Sequence, residues 1–210
     1  MTSSPPPVEP TYADRVFRSP AGMAGGVLLL VLIAWLGGDA VITGEGRTPW
    51  FALAGALLSV PLVVAFTLRP AVFVNDDRVR IRNPFRSITV PWGSVADVRA
   101  GYSSELFTND GAKYQLWAVP VSLGQRKRAA RKQARRSHSD PHMRTSASAD
   151  VVDKPRVPQA DQTVADMREI AERNASRPSA QGEVHKRWAY EVMAPAAAGA
   201  VLLVVLLAIG

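Results

Sequence analysis

The chain has 210 residues, a net charge of +7 and no cysteine, and 47% of its residues are hydrophobic. The absence of cysteine excludes a disulfide framework and thiolate chemistry. The apolar residues are concentrated in three uncharged blocks, which excludes a single soluble core, and the excess of positive charge favours an acidic partner.

Residues 1–19 precede the first apolar block and are rich in proline and polar side chains, with Arg15 and Arg18 close to that block. A segment of this composition buries too little apolar area to fold by itself. We therefore expect a disordered N-terminus over residues 1–19.

The first two apolar blocks are separated by a short polar link. Residues 21–38 are uncharged and would span about 27 Å as a helix, close to the hydrocarbon thickness of a bilayer. A cleaved signal peptide is the alternative, although its apolar core is usually shorter. Residues 50–68 form the second block, in which Pro61 should disturb the helix. We predict a two-helix transmembrane hairpin over residues 20–68.

The third apolar block occupies residues 193–210, with Pro195 near its start and no polar flank after it. Its last ten residues are too apolar to be left in water. We predict a third transmembrane helix over residues 188–210. The alternative is a tail anchor that does not pack on the hairpin.

The distribution of positive charge predicts the orientation of the chain. Arg15 and Arg18 precede the first block, the link carries only Arg47, and every other Lys and Arg lies between Arg69 and Arg187. By the positive-inside rule, the N-terminus and the central region face the cytoplasm. We therefore expect a multi-pass protein of the plasma (inner) membrane whose C-terminus lies outside.

Between the second and third blocks, residues 69–123 read as short strands and tight turns. Residues 78–82 (RVRIR) and 87–90 (SITV) alternate apolar and polar side chains around an NPFR turn, which predicts a hairpin. Asn109-Asp110-Gly111 predicts a second hairpin. Trp92 is expected to close the core, so we predict a small antiparallel β domain.

Three pieces of this domain carry a resemblance: residues 79–84 (VRIRNP), 90–98 (VPWGSVADV) and 110–120 (DGAKYQLWAVP). In this order they resemble the bacterial pleckstrin-homology (PH)-like domain, in particular the actinobacterial family typified by a low-molecular-weight mycobacterial protein antigen. The resemblance implies a partly open antiparallel β-barrel, capped by a C-terminal helix and placed directly after a pair of membrane helices. It implies no settled activity, since this fold hosts lipid, peptide and protein binding.

A polybasic stretch within residues 122–137 is the strongest functional signal. Such a cluster beside a membrane is attracted to anionic lipid by about 1 kcal/mol per charge. A solvated linker is the alternative, and nucleic acid is not expected because no aromatic side chains interleave the charges. The same stretch is one candidate for the capping helix. Its seven cations are Arg126, Lys127, Arg128, Arg131, Lys132, Arg135 and Arg136.

A second basic patch lies on the first predicted hairpin and consists of Arg78, Arg80, Arg82 and Arg86. The resemblance implies a role in lipid binding, because lipid-binding PH domains hold phosphorylated inositol headgroups with a basic first hairpin. The alternative is a charged strand edge that protects the sheet against aggregation.

Residues 124–187 are predicted to form a basic, largely disordered linker. One short helix is expected from residue 164 to 174, with Val164, Met167 and Ile170 on one face. It would serve as a spacer or as a docking helix for a partner. His138 and His142 flank a proline in a polar stretch, so we expect no metal site there.

The sequence thus predicts an α+β membrane protein with a transmembrane helical hairpin, a PH-like antiparallel β-barrel or sheet, a basic linker and a C-terminal transmembrane helix. It shows no catalytic constellation and no cofactor motif, so we expect no enzyme. The expected function is non-catalytic interaction at the inner membrane surface, with anionic lipid and with an unidentified membrane or envelope protein, and a homo-oligomer is left open. The alternative is an accessory subunit of a membrane transporter or an envelope-synthesis enzyme.

Overall fold

The computed structural model describes residues 14–121 and 159–209. The seven cations of the polybasic stretch, the candidate capping helix at residues 122–137 and the two histidines at 138 and 142 lie outside the described residues. Statements about these segments therefore stay predictions.

Three helices are long and apolar enough to cross a membrane: Pro20–Ile42 (α1), Thr48–Leu68 and Tyr190–Ile209 (α4). Ser19 caps α1, because its Oγ accepts a hydrogen bond from the Gly22 N–H at 3.1 Å. The second long helix consists of an α-helix, Thr48–Val63 (α2), which contains Pro61, and a π-helical turn, Val64–Leu68.

The third apolar helix packs along the second. α4 contacts α2, and Gly199 lies so close to the backbone of Leu57 and Leu58 that a Cβ at this position has no room. Gly26 of α1 packs equally closely against Thr67. Small residues let helix backbones approach one another in this way, so α4 joins the hairpin in one bundle.

The strands form two antiparallel sheets. The first has the order β1 (Arg15–Phe17), β2 (Ala71–Val74), β3 (Arg78–Arg82), β4 (Arg86–Pro91) and β8 (His185–Trp188). The second contains β5 (Val95–Ala100), β6 (Ser104–Thr108) and β7 (Lys113–Gln115). Within the described residues the two sheets share no strand pairing, so the domain is a pair of sheets and not a closed barrel.

The core lies between the sheets and follows the predicted alternation. Val79 and Ile81 of β3 are buried, and the three arginines that alternate with them face outward. Trp92 is fully buried, as predicted, and its Nε1–H donates to the carbonyl oxygen of Asn75 at 2.7 Å. A turn at Asn109–Gly111, with Gly111 at a φ of 81°, joins β6 to β7.

The predicted short helix forms and caps the core. It spans Gln159–Asn174 (α3), packs on β5 and buries Val164, Met167 and Ile170. The segment predicted as a largely disordered linker, residues 124–187, therefore contains this longer helix and most of a strand, His185–Trp188, within its described part. The physical reason is that an amphipathic helix that is marginal alone becomes stable once its apolar face is buried against an open sheet.

The two edge strands of the first sheet were also expected to be disordered. β1 pairs with β2, and β8 pairs with β4. Neither strand has a buried apolar face that would identify it from the sequence. These strands pair because the helices that adjoin them hold them beside the edges of the sheet.

Each long helix is joined directly to the first sheet. Residues 18–19 link β1 to α1, residues 69–70 link the π-helical turn to β2, and residue 189 links β8 to α4. Because β1 and β8 run toward their helices and β2 runs away from its helix, the three links lie at one end of the sheet. We call this the helix-proximal end, and the opposite end the free end.

Candidate functional site

The outer face of the first sheet carries two rows of polar side chains. Val79 and Ile81 face the core, so the neighbouring arginines of β3 face outward. The antiparallel registers of β3, β4 and β8 then place one residue from each strand side by side. The rows are Arg80, Thr89 and His185, and Arg82, Ser87 and Arg187.

A groove with a volume of about 530 Å³ lies over these rows. Arg69, Lys186, Trp188 and Glu191 complete its lining. Four of the lining side chains, those of Arg69, Arg80, Arg82 and Arg187, bring permanent positive charge to the groove, and Glu191 is the acid among the lining residues. Lys186 is in register with the buried Ile88, and its Nζ lies 5.3 Å from the centre of the Tyr114 ring, so its charge points to the other face of the sheet. The groove is therefore strongly cationic, and its volume falls in the ordinary range for small-molecule sites.

Arg69 forms the floor of the groove at the helix-proximal end. Its side chain is only 8% exposed, and its Nη1 lies 2.8 Å from Oε1 of Glu191 at the start of α4. Its Nε–H donates to the carbonyl oxygen of Asn83 at 3.3 Å, and Nη2 donates to Oγ of Ser87 at 3.4 Å. Arg69 thus connects two helices with the β3–β4 turn, and its charge contributes to the potential of the groove.

Asn83 extends this connection to the second sheet. Its Nδ2 donates to the carbonyl oxygen of Gln115 at 2.9 Å, and its Oδ1 accepts from the Trp117 N–H at 3.4 Å. The indole of Trp117 in turn donates from Nε1 to the carbonyl oxygen of Phe66 at 3.2 Å. The floor of the groove is therefore fixed by hydrogen bonds to both sheets and to the apolar helices.

Phe73 of β2 stacks with two of the three outward arginines of β3. The guanidinium carbon of Arg80 lies 4.5 Å from the centre of the Phe73 ring, and that of Arg82 lies 5.8 Å from it. Asp14 adds a carboxylate oxygen 3.5 Å from Nη2 of Arg80. Stacking of this kind restrains a guanidinium but leaves its edge donors available to a ligand.

The charges in the groove repel one another. Burial, and next the charges of Arg69 and Arg80, lower the pKa of Arg82 from its ordinary value. An arginine stays protonated in spite of such a shift. The repulsion therefore persists in the empty groove, and an anion bound there would relieve it.

One family comparison identifies the domain that carries the groove. The family model of the bacterial PH domain matches residues 69–138. The chain contains a bacterial PH-like domain. Comparison with curated proteins and with solved structures gives no match. The likeness to the actinobacterial family in particular stays a prediction.

The matched region covers only part of the folded unit. Strands β2 to β7 lie inside residues 69–138, whereas β1, α3 and β8 lie outside it. The PH-like domain of this chain therefore takes one edge strand from before the first long helix. It takes its capping helix and its other edge strand from the segment before the third.

The structure divides the predicted hairpin patch. Arg80 and Arg82 line the groove, but Arg78 and Arg86 do not. Arg78 pairs with Pro91 at the free end. Arg86 is next to Ser87 in an extended strand, so its side chain points to the other face of the sheet.

Four basic residues that line the groove were not predicted as site residues: Arg69, His185, Lys186 and Arg187. They were interpreted only as signals of membrane orientation. The three residues of β8 join the PH-like site because β8 pairs with β4, and this pairing links residues about a hundred positions apart. Arg69 joins it because the second long helix ends beside the β3–β4 turn. The proximity of Lys186 and Arg187 to an apolar block was the available signal.

The described residues offer no metal centre. They contain no group of three or more His, Cys, Asp or Glu side chains that could hold a metal ion. The polar groups that the groove presents are mainly guanidinium, imidazole and hydroxyl groups, and the Glu191 carboxylate is paired with Arg69. Such a set is suited to non-covalent binding of an anion.

Proposed function

We propose that this chain is a non-catalytic integral membrane protein whose PH-like domain binds anionic lipid headgroups at the cytoplasmic membrane surface. The observation that carries the proposal is the cationic groove, which lies where the sheet meets the apolar helices. A phosphate in the groove would meet the guanidinium groups of Arg80, Arg82 and Arg187. The hydroxyl groups of Ser87 and Thr89 would complete its hydrogen bonding.

The topology favours one side of the helical bundle for all folded parts of the domain. The three links to the helices lie at the helix-proximal end, so β1, the sheet core and β8 occupy one side of the helical bundle. The uneven distribution of Lys and Arg favours the cytoplasm for that side. Three crossings would then place the C-terminal end of α4 outside.

The aromatic residues around the groove support its position at headgroup depth. Trp188 lines the groove and is half exposed, and the exposed Tyr190 begins α4. Tryptophan and tyrosine are enriched where a helix passes from hydrocarbon to headgroups. A phosphate bound above Arg69 would therefore lie at the level of lipid phosphates.

The polybasic stretch at residues 126–136 remains a proposed second contact with anionic lipid. It belongs to the segment between Val121, which packs against the core, and α3. Its attraction to the surface would add to that of the groove, without the shape that a groove provides. The same surface position would allow the domain to recruit a membrane or envelope protein.

Lipid selectivity tests the proposal. The full chain is placed in nanodiscs that contain equal amounts of phosphatidylglycerol and phosphatidylcholine, and the lipids that stay bound are identified by native mass spectrometry. We expect enrichment of phosphatidylglycerol. A second sample contains excess inorganic phosphate, because displacement of the lipid by phosphate would identify a free anion as the ligand. Equal retention of both lipids would refute lipid headgroup binding.

A further inference from the structure

An exposed aromatic side chain stands on the turn between β5 and β6. Tyr102 is 94% exposed. The turn is closed by a hydrogen bond from the Gly101 N–H to the carbonyl oxygen of Ser103 at 2.9 Å. A large aromatic side chain with this exposure on an ordered turn is unusual enough to require an explanation, since aromatic rings are normally partly buried.

The β5–β6 turn lies at the helix-proximal end of the second sheet. The Leu116 N–H donates to the carbonyl oxygen of Ser104 at 2.8 Å, so the start of β6 is beside the end of β7. The next residue, Trp117, contacts Phe66, with 5.6 Å between the ring centres. Phe66 belongs to the π-helical end of the second apolar helix. Tyr102 is two residues before β6, and the start of β6 lies beside the end of β7, which leads into this contact.

The other exposed aromatic side chains of the domain lie at the same end. Outside the three long helices, the described large apolar side chains that are exposed are Val16, Tyr102, Trp117 and Trp188. Trp117 and Trp188 flank the ends of α2 and α4. The free end instead presents the polar turn Asn109–Gly111. All three exposed aromatic residues of this set therefore lie at the end that faces the helices.

We infer that the β5–β6 turn inserts Tyr102 into the headgroup region of the bilayer that holds the three long helices. The ring enters the interface and the hydroxyl group stays in contact with water or lipid phosphate, as tyrosine does in interfacial belts. This contact anchors the second sheet, which is not joined directly to any of the three long helices, and so fixes the orientation of the domain. The inference rests on the proposed membrane placement.

Site-directed spin labelling tests the inference, and the chain is suited to it because it has no native cysteine. A nitroxide is attached at Ser103→Cys, beside an intact Tyr102, in the full chain in liposomes. The matched control is Ser176→Cys, an exposed serine that follows α3 toward the free end. A label at Val31→Cys in the middle of α1 reports on helix insertion.

The measured quantities are the collision rates of each label with oxygen, which partitions into lipid, and with a water-soluble nickel chelate. We expect the ratio of oxygen to nickel collisions to be several-fold higher at residue 103 than at residue 176. The substitution Tyr102→Asp should lower the ratio at residue 103 to that at residue 176, because a carboxylate leaves the interface.

Three results would overturn the inference. One is an oxygen-to-nickel collision ratio at residue 103 that equals the ratio at residue 176, while the label at residue 31 shows that α1 is in the hydrocarbon layer. Another is protection of residue 103 from both reagents, because this indicates contact with protein. A label at residue 31 in water would overturn the membrane placement as well, so failure of the inference alone is distinguishable from failure of the proposed function.

Discussion

Replacing Arg80 and Arg82 by alanine removes two of the four permanent cations whose side chains face the groove. Both side chains are held beside Phe73 and neither forms part of the core, so the double substitution should leave the fold intact. At about 1 kcal/mol for each charge near an anionic surface, the loss is about 2 kcal/mol, or roughly 30-fold in the dissociation constant.

The assay is titration calorimetry of the full chain in a neutral detergent with a short-chain phosphatidylglycerol. The matched control is Arg78→Ala, because Arg78 lies on the same strand and the same face but does not line the groove. We expect the control to bind like the unmodified chain. Equal weakening by Arg78→Ala would indicate diffuse attraction by net charge, and unchanged binding by the double variant would refute the groove as the site.

Three further predictions concern stability. Arg69→Ala breaks the contacts with Glu191, Asn83 and Ser87 and should destabilise the fold by about 1–3 kcal/mol, measured as thermal unfolding in detergent. Met167→Ala leaves a cavity under α3 and should cost about 2–5 kcal/mol, measured as protease susceptibility of the α3 segment. A hydrogen bond from the Arg99 side chain, with further help from the Val98 N–H and Arg168, lowers the pKa of Asp97. The folded form therefore binds fewer protons at this site than the unfolded form. The ionised carboxylate stabilises the fold above about pH 4, and this stabilisation is lost as the pH falls through the lowered pKa. Unfolding midpoints measured between neutral and acidic pH report the loss.

Each of these predictions has a control. Arg69→Lys keeps the charge but not the planar fork and should restore only part of the stability. The exposed Glu172→Ala on α3 should not change protease susceptibility. Asp97→Asn should flatten the acid limb of the stability profile, because it removes the titrating carboxyl group. An acid limb that is unchanged in this variant would contradict the assignment to Asp97.

The elements that the sequence predicts are those with local signals. The alternation in RVRIR and the turn NPFR define the β3–β4 hairpin within a dozen residues. Asn109–Gly111 does the same for β6 and β7. The apolar face of α3 was also recognisable at helical spacing, but its partner was not, because burial against β5 joins segments about seventy residues apart.

The groove was only half predictable for the same reason. Arg80 and Arg82 were recognised as a basic patch because they alternate on one strand. Arg187 reaches the patch only through the pairing of β8 with β4, and Arg69 only because the second long helix ends at the β3–β4 turn. Neither contact has a signature in the local sequence, since both depend on the relative placement of distant elements.

The short links between the strands and the long helices restrict what the domain can reach. With one or two residues in each link, the domain has no tether that would let it move away from the three long helices. Under the proposed placement, its ligands are confined to a thin layer in which lipid headgroups are crowded. A ligand already concentrated in that layer is captured even at weak intrinsic affinity, because the encounter is effectively intramolecular. The lipid that occupies the groove would therefore depend on which lipids surround the domain. A change in the local lipid composition would change the bound fraction without a large change in affinity.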